Sequence, residues 1–239
     1  MTTAPTFERD FYRELLEENP ALLARIVAFN RGGAASASPC VRFAEELSKD
    51  EPTDVDWADL IARHPDLCAL AAERTAPEEK AGDDYWGFAE TSERFALIPE
   101  DELDRLVRRA VAAVYGAEIA VTVRKDEREA LRAKLGDDLL RYAVLRGRWQ
   151  AGSLAGELKR FCAGLALPDA VERLSHLVAV LLWADWPEGL RDKTALRFTP
   201  HREAVGDPPE DAQLGRRVRA FLLKLIKSEG DEACRNLFK

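Results

Sequence analysis

The sequence lacks the residues from which many active sites and metal centres are built. Its 239 residues include only three histidines, His64, His176 and His201, and none stands in HExxH or another His/Cys spacing suited to zinc. Ser175 and His176 are adjacent, but neighbouring residues on a helix point about 100° apart and do not form a catalytic dyad. We therefore predict a non-enzymatic protein without catalytic residues, cofactor, metal or small-molecule substrate.

Long apolar runs and cysteine pairs are also absent. No apolar stretch approaches the roughly 20 residues that span a bilayer, and the N-terminus has no basic region followed by an apolar core, as a signal peptide has. We therefore expect a cytoplasmic protein that does not insert into a membrane. In that compartment the cysteines, which form no CxxC pair, are expected to be reduced and half-buried. They are Cys40, Cys68, Cys162 and Cys234.

Three short motifs suggest ligand sites but lack essential parts. RGGAASASP (31–39) has no following Lys-Ser/Thr for phosphate binding, which favours a flexible linker. DEPTDVD (50–56) lacks the central glycine and closing glutamate of a calcium loop. RGRW (146–149) combines cations with an aromatic ring, as single-strand nucleic-acid binders do. It is isolated in an acidic chain, and we expect Trp149 to pack inward at the end of a helix.

What the sequence does have is helical periodicity. With 46% hydrophobic and 33% charged residues, the chain is expected to fold. Apolar residues recur at helical spacing over 99–115, and 168–185 is apolar on most faces, which is typical of a buried helix. Residues 119–123 are compatible with a short strand or with a helix. We predict an all-α, irregular multi-helix globular fold with at most one short strand or hairpin.

Proline and glycine predict where the helices break. Pro20 is expected to kink or split a helix over 7–30, and Gly136 to end one helix before Asp137 begins the next. The charged segment TAPEEKAGDD (75–84) is the best candidate for a boundary. The predicted domains are a small N-terminal helical region with a linker, 1–80, and a main helical domain, 81–239.

Tryptophans and a proline mark a corner in LLWADWPEGLRDKTALRFTP (181–200). The pattern indicates an apolar helix that breaks at Pro187 and resumes as a short basic segment. Trp183 is expected in the core because it ends a helix that is apolar nearly all round. Trp186 is expected to be half-exposed, with packing and partner contact both left open.

Charge is distributed unevenly along the chain, whose net charge of −8 disfavours nucleic-acid binding. Residues 212–239 include seven basic and three acidic residues, a local charge of +4, so the preceding 211 residues carry −12. Such polarity can orient a protein between two differently charged neighbours, but a solvated basic helix face is the more usual explanation of this pattern. The exposed side of the last helix, which should run to about Ser228, is our predicted contact surface. Its members are Arg216, Arg217, Arg219, Lys224 and Lys227.

The order of elements in the second half matches a known pattern. A helix pair (97–146) precedes an apolar helix, a tryptophan–proline corner, the Leu-Arg-Phe-x-Pro segment (196–200) and a basic helix that closes on CRNLFK (234–239). Over residues 95–239, about 60% of the chain, this order resembles the K component of bacterial type III secretion systems, the SctK/YscK family.

The resemblance implies a helical adaptor of the secretion (injectisome) sorting platform, peripheral at the cytoplasmic face of the apparatus. Such an adaptor bridges the cytoplasmic part of the inner-membrane ring protein, the D component, to the pod protein, the Q component. The alternative is another helical protein-binding regulator or chaperone.

Overall fold

The computed structural model describes residues 9–30, 85–206, 209 and 211–239. These residues form helices, turns and two short 3₁₀ segments, Glu93–Leu97 and Gly147–Trp149, and none of them forms a strand. The all-α prediction is therefore confirmed. The α-helices are α1 Arg9–Glu18, α2 Pro20–Asn30, α3 Glu100–Val114, α4 Gly116–Val121, α5 Lys125–Leu145, α6 Ser153–Arg160, α7 Leu167–Trp183, α8 Glu188–Val205, α9 Ala212–Glu229 and α10 Glu232–Asn236.

The chain divides into two compact units. One comprises Met1–Glu100 with Asn236–Lys239, and the other Asp101–Arg235. The predicted linker, the calcium-like segment, the boundary at 75–84, His64, Cys40 and Cys68 all lie outside the described residues. The predicted division at residue 80 therefore stays a prediction. Across the described ranges, no helix combines the length and hydropathy needed to cross a bilayer.

The first unit shows the predicted break at Pro20. Helix α1 ends at Glu18 and α2 begins at Pro20, where the missing N–H costs no helical hydrogen bond. Asn19 lies between the helices, and its Oδ1 accepts a hydrogen bond from the backbone N–H of Leu22 at 3.1 Å. This interaction satisfies one of the free donors of the first turn of α2.

Arg94 holds the last residues of the chain within the same unit. Its Nη1 donates to the carbonyl oxygens of Leu237 at 3.2 Å and Lys239 at 3.1 Å, and its Nε donates to that of Phe88 at 3.1 Å. The side chain is buried, and this burial lowers the pKa of its guanidinium. Backbone carbonyls therefore provide much of the polar environment that the buried cation requires.

Helices α3 and α5 of the second unit follow the predicted patterns. The apolar stripe of α3 is buried, and residues 119–121 belong to a helix, α4, rather than to a strand. Helix α5 breaks at Gly136, whose φ of 80° and ψ of 162° lie in a region that essentially only glycine adopts. The prediction of two helices meeting at this glycine is therefore confirmed.

Helix α7 forms the hydrophobic centre of this unit, and α8 packs against it. Helix α7 is buried on most faces, as predicted from its composition. After the break at Pro187, α8 runs for 18 residues and continues through Pro200. The expectation of a short segment is wrong. An internal proline removes one backbone hydrogen bond and its ring clashes with the preceding turn, but packing of the helix can offset this cost.

Candidate interaction surface

Helix α9 carries the predicted contact residues and begins with a well-formed cap. The Asp211 carboxylate accepts hydrogen bonds from the backbone N–H groups of Gln213 at 2.9 Å and Leu214 at 3.0 Å. From this start the helix buries one apolar face that includes Leu222 and Leu225. Its basic residues are thereby distributed between the exposed face and the edges of the packed face.

Three of the five predicted basic residues are exposed. Arg216, Lys224 and Lys227 recur at spacings of eight and three residues, which places them on one side of α9. Lys224 Nζ donates to the carbonyl oxygen of Gln150 at 3.3 Å. The exposed side of α9 therefore lies beside the turn that joins α5 to α6.

Arg217 is less accessible than predicted. Its guanidinium forms an ion pair with Glu157 and donates a hydrogen bond to Ser153 Oγ at 3.2 Å. Both partners belong to α6, and about one third of the arginine side chain is exposed. Arg217 therefore joins α9 to α6, and a partner protein would have to compete with Glu157 for it.

The expected exposure of Arg219 is wrong. The residue is 9% exposed, and its Nη2 donates to Asp185 Oδ2 at 2.9 Å. A Cβ on Gly215 would lie 3.1 Å from the same carboxylate oxygen and 3.3 Å from the carbonyl oxygen of Leu181. The absence of a side chain at Gly215 thus lets α9 approach the end of α7 closely, and Arg219 is enclosed at this contact.

Trp186 is also buried, contrary to the expected half-exposure. It is 3% exposed and forms an edge-to-face contact with Phe198, with ring centroids 5.3 Å apart. Trp183 stacks on the same phenylalanine at 5.8 Å, and its Nε1 donates to Thr194 Oγ1 at 3.2 Å. The expected core position of Trp183 is confirmed. We call Trp183, Trp186 and Phe198 the aromatic corner, and its burial removes Trp186 from the protein surface.

The expectation for Trp149 is wrong in the opposite direction. The residue was expected to pack inward, but it is 72% exposed. A Cβ on Gly116 would lie 2.7 Å from the backbone nitrogen of Arg148, and one on Gly147 would lie 3.0 Å from Ala113 Cα. The backbone of the turn thus packs directly against α3 and α4 and leaves no room for an indole beneath it. Gly147 in the turn and Gly116 at the start of α4 permit this close approach because neither has a side chain.

The exposed turn and the exposed side of α9 together form the candidate site. The Arg148 guanidinium lies 4.6 Å from the Trp149 ring centroid, within the range of a cation–π interaction. Among the described residues, no carboxylate forms an ion pair with a cation of this group. We call this group the basic–aromatic surface. Its members are Arg148, Trp149, Arg216, Lys224 and Lys227.

Two histidines meet in a cavity of about 270 Å³ in the same unit. The Nδ1 atoms of His176 and His201 are 3.0 Å apart. Burial is the main cause that lowers the pKa of His201, and repulsion from His176 and Arg197 adds to it, while Asp104 opposes the shift. The cavity also contains Glu172, whose carboxylate is exposed and pairs with Lys134, and this hydrogen bond lowers the pKa of Glu172. The Glu172 carboxylate is therefore not a buried, protonated group of the kind that suits general acid catalysis.

Glu93 is a buried carboxyl group in the first unit. Burial raises its pKa to about 7, although a hydrogen bond with Tyr85 partly opposes the shift. A cavity of about 420 Å³ in this unit is lined by Arg94 and by residues of α1 and α2, but not by Glu93. The carboxyl group therefore does not face a substrate-sized space there.

One cluster of potential metal ligands occurs among the described residues, formed by Glu102, Asp231 and Cys234 within 4.8 Å of one another. Cys234 Sγ donates to Glu102 Oε2 at 2.9 Å, and the Asp231 carboxylate accepts a hydrogen bond from the Cys234 backbone at 2.6 Å. Burial and the neighbouring carboxylates raise the pKa of this thiol. Cys162 is likewise buried and free. The Asp231 hydrogen bond is that of a cap at the start of α10, and the thiol hydrogen bond joins α10 to α3.

Comparison with known proteins gives no match: no protein-family model, no curated protein and no solved structure matches this chain.

Proposed function

We propose that the protein is a cytosolic adaptor of a type III secretion sorting platform, bridging the cytoplasmic part of the inner-membrane ring protein to the pod protein. The proposal starts from the sequence resemblance over residues 95–239. The observation on this chain that carries it is the basic–aromatic surface, an exposed cationic patch on an acidic protein.

The chemistry of this surface suits protein binding. Exposed cations attract an acidic partner and orient it during encounter. A solvent-exposed tryptophan supplies the large apolar contact area that is typical of the residues contributing most to binding at interfaces. Trp149 is held by a turn whose backbone packs against two helices, so that little backbone freedom would be lost when a partner covers it.

Co-purification of the full chain with the ring and pod proteins tests the proposal. The wild type should form a complex with each, and the triple variant Arg216→Glu, Lys224→Glu, Lys227→Glu should lose one of the two complexes. Trp149→Ser should weaken the same complex without changing the fold. A triple variant of equal charge, Arg105→Glu, Arg160→Glu, Arg202→Glu, is the matched control because these residues are exposed elsewhere on the unit.

The outcomes separate the adaptor from other functions. If neither the ring protein nor the pod protein binds the wild type, the adaptor function is rejected. If both complexes survive the basic-to-acidic triple variant at ordinary salt, the surface assignment is wrong while the function stands. A salt-sensitive complex with single-stranded DNA that Trp149→Ser abolishes would instead assign the surface to nucleic acid.

A further inference from the structure

A groove of about 500 Å³ lies between α4 and the two halves of α5. Its floor is apolar and includes Ile119 and Leu131, which are buried. Arginine side chains line its sides. The groove shares no residue with the basic–aromatic surface, so that it is a second and independent feature of the same unit.

The two halves of α5, on either side of the break at Gly136, each present one face to this groove. The first half contributes Arg128, Leu131 and Arg132, and the second contributes Asp137, Leu140, Arg141, Val144 and Leu145. Both sets follow the i, i+3, i+4 spacing that places residues on one face of a helix. Each half thus combines arginine with an aliphatic contact face.

Positive charge is in excess around the groove. Arg132 Nε forms an ion pair with Asp137 Oδ1 at 2.6 Å. Arg128 and Arg141 are exposed, and among the described residues neither has a carboxylate partner. The groove therefore has two uncompensated guanidinium groups in a protein whose net charge is −8.

Apolar surface beside these arginines is left in contact with water. Val144 is 37% exposed and Leu145 is 62% exposed. A partner that covers them gains from apolar burial, about 25 cal/mol per Å². The complementary partner therefore combines an apolar face with flanking negative charge.

From this geometry we infer that the groove binds an amphipathic helix of a partner protein, with acidic residues flanking its apolar face. Helix-in-groove binding uses apolar anchors along one face of the bound helix. The lining residues include no aromatic side chain, whereas single-stranded nucleic acids and polyproline segments both bind through aromatic surfaces. A partner β-strand needs an exposed strand edge, which the described residues do not provide.

Fluorescence anisotropy with two labelled peptides tests this inference on the full chain. Both are side-chain-stapled helices of about 15 residues, because shorter isolated helices are marginal in water. They share the same leucine face, which is flanked by glutamates in one and by lysines in the other. The glutamate peptide should bind saturably and more weakly as salt rises, and the lysine peptide should not bind.

Variants locate the binding. Arg128→Glu with Arg141→Glu should weaken binding of the glutamate peptide at least about tenfold, and Leu145→Ser should weaken it severalfold. The control Arg105→Glu with Arg202→Glu changes the net charge equally and should bind within about twofold of the wild type. Circular dichroism checks that each variant is folded, and Arg128→Gln with Arg141→Gln replaces the glutamate double variant if that one unfolds.

Three results would overturn the inference. They are absence of saturable binding by the glutamate peptide, equal binding of both peptides, and equal losses in the groove and control double variants. Binding to anionic phosphatidylglycerol vesicles that depends on Arg128 and Arg141, without peptide binding, would assign the groove to lipid and also reject the inferred helix.

Discussion

The aromatic corner and the turn around Trp149 place the same residue type in opposite environments. Trp186 is 3% exposed and contacts Phe198, which α8 brings back against α7. Trp149 is 72% exposed, and its described ring contact is with the guanidinium of its neighbour Arg148. The difference shows that a tryptophan after a helix end is buried only when a distant segment supplies a surface to cover it. The corner therefore contributes to stability, whereas the turn leaves its tryptophan available for binding.

The largest expected contrast comes from removing the ring at the centre of the corner. Phe198 is 1% exposed and contacts both tryptophans. Phe198→Ala should lower the free energy of unfolding by about 4 kcal/mol because it deletes buried surface and leaves a cavity. Trp149→Ala should change it by no more than about 0.5 kcal/mol. Urea denaturation measures both, and similar losses in the two variants would show that the regions do not differ as described.

A smaller contrast is expected between two arginines of α9. Arg219→Ala should lower the free energy of unfolding by about 2 kcal/mol, less than for a fully buried pair because Asp185 is 37% exposed. Arg216→Ala, at an exposed position of the same helix, should cost less than about 0.5 kcal/mol. Equal midpoints and slopes for the two variants in urea denaturation would contradict the enclosed position of Arg219.

The smallest contrast between the corner and the turn is expected in the pH dependence of stability. His201 lies beside the corner, with its ring centroid 6.3 Å from that of Phe198. Its pKa is lowered in the folded protein, so the unfolded state takes up a proton first as pH falls below about 6.5. The free energy of unfolding should therefore fall below that pH, and His201→Asn should lessen the fall, while Trp149→Ala should follow the wild type. The charged or titratable groups around His201 are Asp104, Arg108, Lys134, Glu172, His176 and Arg197.

Denaturation at pH 8 and pH 5.5 measures this difference. At pH 8 His201 is neutral in both the folded and the unfolded state, so the variant's loss there measures the change in packing and in the hydrogen bond to His176. If the gap between His201→Asn and the wild type is the same at both pH values, His201 does not contribute to the pH dependence.

Features that depend on neighbouring residues could be predicted from the sequence. The stripe of α3, the break before Pro20 and the break at Gly136 follow from spacing and from backbone restrictions of single residues. The length of α8 could not be predicted in this way. Pro200 argues locally for an end to the helix, but packing of α8 against α7 supplies the compensating free energy.

The environments of candidate site residues depended on contacts distant in sequence. Arg219 was expected to be exposed with the other basic residues of α9, but its partner Asp185 lies 34 residues away. Trp186 was expected to be half-exposed because Phe198 was not predicted to fold back. The groove between α4 and α5 was not predicted. Arginine and aliphatic residues at i, i+3, i+4 spacing on both sides of Gly136 are the sequence pattern that indicates it.

Gly136 has a consequence for chirality. Nothing lies within 4 Å of the position that a Cβ would occupy, so space does not require glycine; the φ of 80° does. For a residue of opposite handedness, the same torsions mirror an ordinary extended conformation. A chemically synthesised chain with D-alanine at this position should therefore keep both halves of α5 in place, whereas L-alanine should strain them. At Gly136 the backbone torsions therefore disfavour the L configuration.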